Sequence, residues 1–104
     1  MKKPLPHGAQ TLADRHADLW RAYTDLGAAA ADAGPLDART RRLVKLALSI
    51  AVGSEGSTHS HVRRARDEGL SADEIRHVAL LAVPTLGLPA AVKGMTWIDD
   101  IIED

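Results

Sequence analysis

The sequence contains no cysteine and no phenylalanine, and its only aromatic residues are Trp20, Tyr23 and Trp97. Without cysteine the chain has no disulfide, no thiolate metal ligand and no thiol redox chemistry. Because aromatic side chains are so few, the apolar content consists mainly of alanine, leucine, valine and isoleucine. This composition suits closely packed helices better than a β-sandwich or a barrel.

Positive and negative charges are nearly balanced, because the sequence has 13 basic and 14 acidic residues and a net charge of −1. This balance argues against nucleic-acid and membrane-surface partners. The longest strongly apolar stretch, Leu43 to Val52, contains Lys45 and is too short to span a bilayer. The opening residues have no apolar run behind their two lysines, so they do not predict a signal peptide. We expect a cytoplasmic protein that needs no cofactor.

Residue patterns predict an all-α protein of five or six helices, with no strand-like alternation. Residues 1–8, with two prolines and a glycine, are predicted to form a flexible arm, and 9–104 a single helical domain. A first helix is expected from about Gln10 to Ala31. A second helix is capped by Asp37, runs to Val52 and ends at Gly53.

The second half of the chain contains residues that are typical of helix starts and helix ends. A third helix is predicted to begin near Ser57 or Thr58 and to end before Gly69. The stretch "SADE", residues 71–74, fits a capping box that opens a fourth helix. Pro84 is expected to interrupt that helix, and Pro89 to lie early in the next one.

The second predicted helix is apolar around nearly its whole circumference. Only Arg42, Lys45 and Ser49 form a narrow polar stripe, at i, i+3 and i+7. A helix that is apolar almost all round is expected to be buried almost all round. A chain of 104 residues has only a modest core of its own. The helix therefore indicates subunit partners.

Two stretches, "LDARTRRLVKLALSIAVG" and "HVRRARDEGLSADEIRHVALLAVPTLGLPAAVKG", resemble the carboxymuconolactone decarboxylase family, which includes the alkylhydroperoxidase D-like proteins. The resemblance covers about Leu36 to Gly94. It rests on the order and spacing of the pieces, of which "HVRRARDEGLSADEIRHVALLA" and "GLPAA" are the most specific. It implies a helical domain that assembles into homotrimers or homohexamers.

The departures from the peroxidase branch of that family concern its reactive groups. That branch has a Cys-x-x-Cys pair followed four residues later by a histidine, and the matching positions are Ser54, Ser57 and His61. Its relay glutamate, twelve residues before the first cysteine, is matched by Arg42. Since a hydroxyl cannot undergo the oxidation steps of a thiol, we expect no thiol peroxidase activity. The decarboxylase branch also lacks the cysteines and tends to place acidic residues in the interval that here contains Glu55.

His61 is the leading candidate for catalysis. Helical geometry places it at the edge of the apolar face of its helix, where a half-buried imidazole can act as a general acid or base. The alternative is a histidine that only bonds a neighbour. By resemblance, Arg42 and Lys45 would form a cationic pocket for a carboxylate beside it, with Glu55 as a possible partner of the imidazole. The alternative for Arg42, Lys45 and Ser49 is a solvent-facing polar stripe.

Three other polar side chains are open to two interpretations. Ser54 and Ser57 fall in the family's site and are candidate substrate contacts, although helix-cap or loop serines are commoner and no nucleophile-elbow sequence is present. His59 lies two residues from His61 and points to another side of a helix, so a His-x-His metal site is not expected.

Two functions follow from these patterns. The first is acid–base chemistry, such as decarboxylation or isomerisation, on a small carboxylate or lactone. The second is a non-catalytic relative that keeps the fold as an oligomeric binding or scaffolding module. An enclosed pocket containing His61 and Arg42 would favour the first.

Overall fold

The structure, a computed structural model, describes residues 5–103, and within them it contains six α-helices and no strand. The helices are α1 His7–Arg15, α2 Ala17–Asp32, α3 Ala38–Val52, α4 Glu55–Asp67, α5 Ala72–Leu86 and α6 Leu88–Ile101. The all-α prediction is confirmed. None of the helices in residues 5–103 is both long and apolar enough to cross a membrane.

The chain divides into two compact units, Met1–Pro35 and Leu36–Asp104. The first consists of α1 and α2, and neither helix buries a residue completely. The single helix predicted from Gln10 to Ala31 is wrong, because the chain breaks at His16, whose φ of −136° and ψ of 64° are not helical. Helix α1 also begins at His7, inside the predicted arm, and residues 1–4 of that arm lie outside the described residues.

The second unit contains α3 to α6, and its helix ends follow local chemistry. Asp37 accepts a hydrogen bond from the Thr40 N–H at 2.8 Å and caps α3 as predicted. Gly53 ends α3 with φ at +76°, a left-handed conformation in which glycine carries no steric penalty. Ser71 and Glu74 form the predicted capping box at the start of α5.

Two predicted boundaries in this unit are wrong. Helix α4 begins at Glu55 rather than near Ser57, because the Ser54 hydroxyl caps it by accepting from the Ser57 N–H. Helix α5 continues through Pro84 to Leu86. Pro84 lies in the last turn, where its missing N–H removes only one intrahelical bond, and the Gly87 N–H closes the helix on the carbonyl groups of Ala82 and Val83.

The core of the second unit is aliphatic and is shared by all four of its helices and their connections. Its buried members are Leu46, Ile50, Val62, Ala65, Leu70, Ile75, Ala79, Ile98 and Ile102. Helix α3 contributes one side only, since Leu48 is 62% exposed and Val52 is 77% exposed. Within this chain α3 is therefore not buried all round, and its outer apolar side is uncovered.

Gly94 is buried in α6 and lies against Ile50 of α3. A Cβ atom at this position would lie 2.9 Å from Ile50 Cγ2 and 3.0 Å from Ile50 Cδ1. These distances are shorter than van der Waals contact, so the Ile50 side chain or the two helices would have to shift.

We expect Gly94→Ala to lower the free energy of unfolding by about 1–3 kcal/mol through overpacking. The matched control is Gly27→Ala in α2, where no atom lies within 4 Å of the added carbon. That change should raise stability by about 0.5–1 kcal/mol, since glycine is unfavourable inside a helix. Urea unfolding measures both, and a Gly94→Ala protein as stable as the wild type would contradict the close approach.

Candidate active site

Six polar side chains line the contact between α3 and α4, and we call them the α3–α4 seam. Helix α3 contributes Arg42, Lys45 and Ser49, helix α4 contributes Ser57 and His61, and Glu68 is the residue that caps the end of α4. Ser49 is only 5% exposed, and the side chain of Arg42 is 13% exposed. The interpretation of the α3 stripe as solvent-facing is therefore wrong for Arg42 and Ser49, and Ser49 is buried on α3 together with Leu46 and Ile50.

Arg42 is the centre of the seam's hydrogen bonding. Its Nε and Nη2 donate to the two carboxylate oxygens of Glu68 at 2.8 and 2.9 Å, a bidentate geometry. Its Nη1 lies 2.7 Å from Nδ1 of His61. One guanidinium thus joins an imidazole in α4 and a carboxylate seven residues further along the chain, at the C-cap of the same helix.

The contact with Arg42 determines which nitrogen of His61 carries the proton. A guanidinium has only donors, so Nδ1 of His61 accepts the hydrogen bond and holds no proton. The neutral imidazole then carries its hydrogen on Nε2. His61 therefore offers an N–H donor on the ring atom that is not bonded to Arg42.

The surroundings of His61 oppose its protonation. Burial, followed by the positive charges of Arg42, Arg64 and Lys45, lowers the pKa of His61 from 6.5 to about 4. The hydrogen bonds from Arg42 also hold the pKa of Glu68 below its usual value. At neutral pH the site thus combines a carboxylate, a neutral imidazole and several cations.

The remaining predicted site residues are placed less centrally. Ser57 and Ser49 share a hydroxyl hydrogen bond of 2.8 Å, and Ser54 serves as the cap of α4. Lys45 is half-buried, and its ammonium forms no hydrogen bond or ion pair with any other described side chain.

The structure does not bring Glu55 to His61. The two lie about 120° apart around α4, and the Glu55 carboxylate is near His59 and Asp100.

Residues 17–100 match the model of the carboxymuconolactone decarboxylase family. The chain belongs to this family. The match covers more of the chain than the resemblance seen in the sequence alone, and it includes the whole α3–α4 seam. The predicted family membership is confirmed.

Individual relatives agree with this assignment. The chain is 30% identical over 69 residues to the 4-carboxymuconolactone decarboxylase of Acinetobacter baylyi, a match that covers 66% of this chain and 52% of that protein. It is 37% identical over 54 residues to an uncharacterised protein of Haemophilus influenzae, covering 52% of this chain and 48% of that one. In each case the match spans about half the length of the relative.

A crystal structure from Burkholderia xenovorans LB400, provisionally named as a carboxymuconolactone decarboxylase, has a similar fold. The TM-score is 0.69 at 25% identity, and the alignment covers 92% of this chain and 78% of that one. This similarity supports the helical bundle as the fold of this family member.

Sequence reasoning missed Glu68 in this site. It lies in a run of mixed charges, residues 63–68, which by its composition alone is typical of a solvated surface. The signal that could have found it is its spacing of seven residues from His61, which places both on one face of α4. An acid at that position faces the same neighbouring helix as the histidine does.

A cavity of about 520 Å³ lies between α5 and α6, away from the seam. Its apolar lining comes from Ala79, Leu80, Met95 and Ile98, and its polar rim includes His77. His61 and Arg42 are not among its lining residues.

The lowered pKa of His61 predicts that acid destabilises this protein in a defined window. Between pH 6.5 and 4 the unfolded chain binds a proton at His61 and the folded chain does not. The contribution to stability is therefore complete above pH 6.5 and is lost as the pH falls to about 4. For a fully buried group, a pKa shift of this size would lower the free energy of unfolding by about 3 kcal/mol. Because His61 is half-exposed and screened by solvent, we expect a decrease of about 1–2 kcal/mol.

Urea unfolding at a series of pH values between 4.5 and 6.5 measures this loss. Glu68 has a lowered pKa, so its protonation affects stability mainly below pH 4.5, outside this range. The His61→Gln variant should show a smaller loss over the same range. Equal slopes in wild type and His61→Gln would contradict a neutral, half-buried imidazole.

Proposed function

We propose that this protein is an enzyme that carries out acid–base chemistry, such as decarboxylation or isomerisation, on a small carboxylate or lactone. The observation that carries the proposal is the neutral imidazole of His61, held by Arg42 with its proton on Nε2 and surrounded by positive charge. Membership of the carboxymuconolactone decarboxylase family supports the same reaction class.

The positive potential at His61 favours an anionic substrate. Arg42, Arg64 and Lys45 each lower the pKa of the imidazole, which means that each also attracts a carboxylate placed beside it. The paired Nε and Nη2 atoms of Arg42 are occupied by Glu68, so Lys45 is the main anchor for the substrate. Arg42 retains further N–H groups on its two terminal nitrogens for a second contact.

Decarboxylation breaks the bond between the substrate carbon and its carboxylate and leaves the electron pair on that carbon. A lactone or ketone carbonyl takes up this pair as an oxyanion, and the Nε2–H of His61 is suited to donate a hydrogen bond to it. The reaction is completed when the carbon accepts one proton. This role resembles that of other neutral imidazoles that polarise a carbonyl group.

His61 is also suited to deliver that proton once substrate is bound. A bound carboxylate offsets the positive charge of Lys45 and so raises the pKa of His61 towards its usual value. When the Arg42 N–H moves off Nδ1, that nitrogen takes up a proton from solvent, and the imidazolium passes its Nε2 proton to the carbon, which leaves a neutral ring with its hydrogen on Nδ1. The low pKa of His61 is thus compatible with proton transfer, because the low value belongs to the free protein and the transfer takes place in the substrate complex.

The same proposal includes the absence of thiol peroxidase activity. The chain has no cysteine at any position. The hydroxyls of Ser54 and Ser57 cannot form the sulfenic acid and disulfide that peroxide reduction passes through. Peroxide consumption by the pure protein would contradict this part.

We further propose that the protein is a cytoplasmic homotrimer or homohexamer. The support is the uncovered apolar surface of α3, α5 and α6, which includes Leu48, Val52, Leu81 and Leu88. Exposed apolar side chains on three helices are suited to an association surface. Light scattering during gel filtration measures the mass directly, and a monomer across the concentration range would refute this part.

A non-catalytic oligomeric scaffold is the second candidate, and two observations favour it. Glu68 already satisfies the bidentate face of Arg42, and the cavity between α5 and α6 does not include His61. In that case the seam would only hold α3 against α4.

The deciding experiment is an assay of the purified protein with a panel of small carboxylated lactones, beginning with 4-carboxymuconolactone. Release of carbon dioxide and loss of substrate absorbance are followed together. Turnover that depends on His61 supports the enzyme. Absence of turnover across the panel, together with an unchanged His61 resonance in NMR titrations with these anions, supports the scaffold.

A further inference from the structure

A second cluster of ionisable side chains lies on the opposite side of α4 from His61. It consists of Glu55, His59 and Asp100, each of which has one potential ligand atom within 4.8 Å of the others. His59 Nε2 lies 3.0 Å from Asp100 Oδ2. His59 and His61 point about 200° apart around the helix, so this cluster is separate from the seam.

The fold brings these three residues together from two helices. Glu55 and His59 are four residues apart in the first turns of α4, a spacing that places both side chains on one face. Asp100 comes from the last turn of α6, which packs against α4. Sequence reasoning could not find this cluster, because Asp100 is 41 residues from His59.

No arginine or lysine of residues 5–103 forms an ion pair with Glu55 or Asp100, and the partner of Asp100 is His59. Two carboxylates therefore share one imidazole that is only 21% exposed. A divalent cation would neutralise both acids and bind the imidazole at the same time.

We propose that Glu55, His59 and Asp100 bind a divalent cation of the zinc class. One imidazole nitrogen and two carboxylate oxygens are a known ligand type for Zn²⁺, and three protein ligands leave a position for water. With bonds of about 2.0–2.2 Å, neighbouring ligand atoms on such an ion lie about 3.3–3.6 Å apart. His59 and Asp100 are already at this scale, and a rotation of the exposed Glu55 side chain completes the set.

The bound cation would connect the start of α4 to the end of α6. The histidine sets the selectivity, because imidazole favours Zn²⁺ and Co²⁺ while Mg²⁺ and Ca²⁺ prefer oxygen ligands alone. This inference does not depend on the proposed enzymatic function, since neither His61 nor Lys45 takes part in it.

The test is calorimetric titration of chelator-treated protein with Zn²⁺, with Mg²⁺ and Ca²⁺ titrated for comparison. We expect one saturable Zn²⁺ site per chain. His59→Ala and Asp100→Asn each remove a direct ligand and should weaken Zn²⁺ binding by at least about 10- to 100-fold. This is the loss that usually follows when a residue that only hydrogen-bonds a metal ligand is replaced. His77→Ala is the matched control and should bind as the wild type does. Visible absorption bands of bound Co²⁺ should be lost in the same two variants.

Three results would overturn the proposal. The first is equal Zn²⁺ affinity in the wild type, His59→Ala and Asp100→Asn. The second is equal affinity of the wild type for Zn²⁺, Mg²⁺ and Ca²⁺, which would indicate only an acidic surface. The third is the absence of any saturable site. Circular dichroism checks that each variant is folded, and Glu55→Gln, at an exposed position, provides the test if His59→Ala is not.

Discussion

Replacing His61 with glutamine is expected to reduce kcat by about 10²–10⁴-fold on any substrate that the wild type turns over. Glutamine keeps an acceptor for the N–H of Arg42 and a similar size, so the seam between α3 and α4 can persist. It has no basic nitrogen, so it cannot take up and deliver a proton. The loss should therefore appear in kcat rather than in folding.

The control for this result is His77→Gln, which changes an exposed histidine of α5 and should leave kcat unchanged. The pH dependence separates proton transfer from a merely structural role. In the wild type kcat/KM should fall as the pH approaches 4, where His61 of the free protein becomes protonated. Wild-type turnover by a folded His61→Gln protein would remove His61 from the mechanism.

Leu46→Ala is expected to lower the free energy of unfolding by about 2–5 kcal/mol, the largest stability effect that we foresee. Leu46 is fully buried in α3, directly behind the polar stripe of the seam. Truncation removes apolar contacts and leaves a cavity that the surrounding helices can only partly fill. Urea unfolding at neutral pH measures the effect.

Leu48→Ala is the matched control, since it makes the same change two residues away on the outer side of α3. Leu48 is 62% exposed within the chain, so its truncation should cost no more than about 0.5 kcal/mol in a monomer. If the proposed oligomer covers this side, the cost of Leu48→Ala will rise with protein concentration. A cost below 1 kcal/mol for Leu46→Ala would contradict the core described above.

Helix ends could be predicted from sequence wherever short-range bonds determine them. The Asp37 cap, the left-handed Gly53 and the capping box at Ser71 each involve residues within four positions of one another. The break at His16 has no such local signal, since neither proline nor glycine is present there. The course of α5 through Pro84 was missed because proline was expected to interrupt the helix, whereas α5 continues for two residues beyond it, to Leu86.

The site was predictable where helical geometry was sufficient and not where a partner lies far along the chain. His61 occupies the half-buried position that its spacing from Thr58, Val62 and Ala65 indicates. The pairing of Arg42 with Glu68 spans 26 residues, and periodicity alone does not identify which of several acids an arginine contacts.

The orientation of α3 shows a different limit of sequence reasoning. One of the two interpretations of its narrow polar stripe placed Arg42, Lys45 and Ser49 towards solvent. The structure reverses this, since Arg42 and Ser49 meet complementary groups on α4. A polar stripe can be the inner side of a helix when the facing helix supplies hydrogen-bonding partners.

The serines at the start of α4 have a consequence for how members of this family could diverge. The Ser54 oxygen holds the Ser57 N–H, and the Ser57 hydroxyl is bonded to Ser49. Sulfur is a poor substitute in both bonds. Grafting a dithiol onto positions 54 and 57 would therefore loosen the first turn of α4, and Arg42 would still stand beside the imidazole. Reversion to peroxide chemistry would need coordinated changes on two helices, so the two branches are separated by more than a pair of point substitutions.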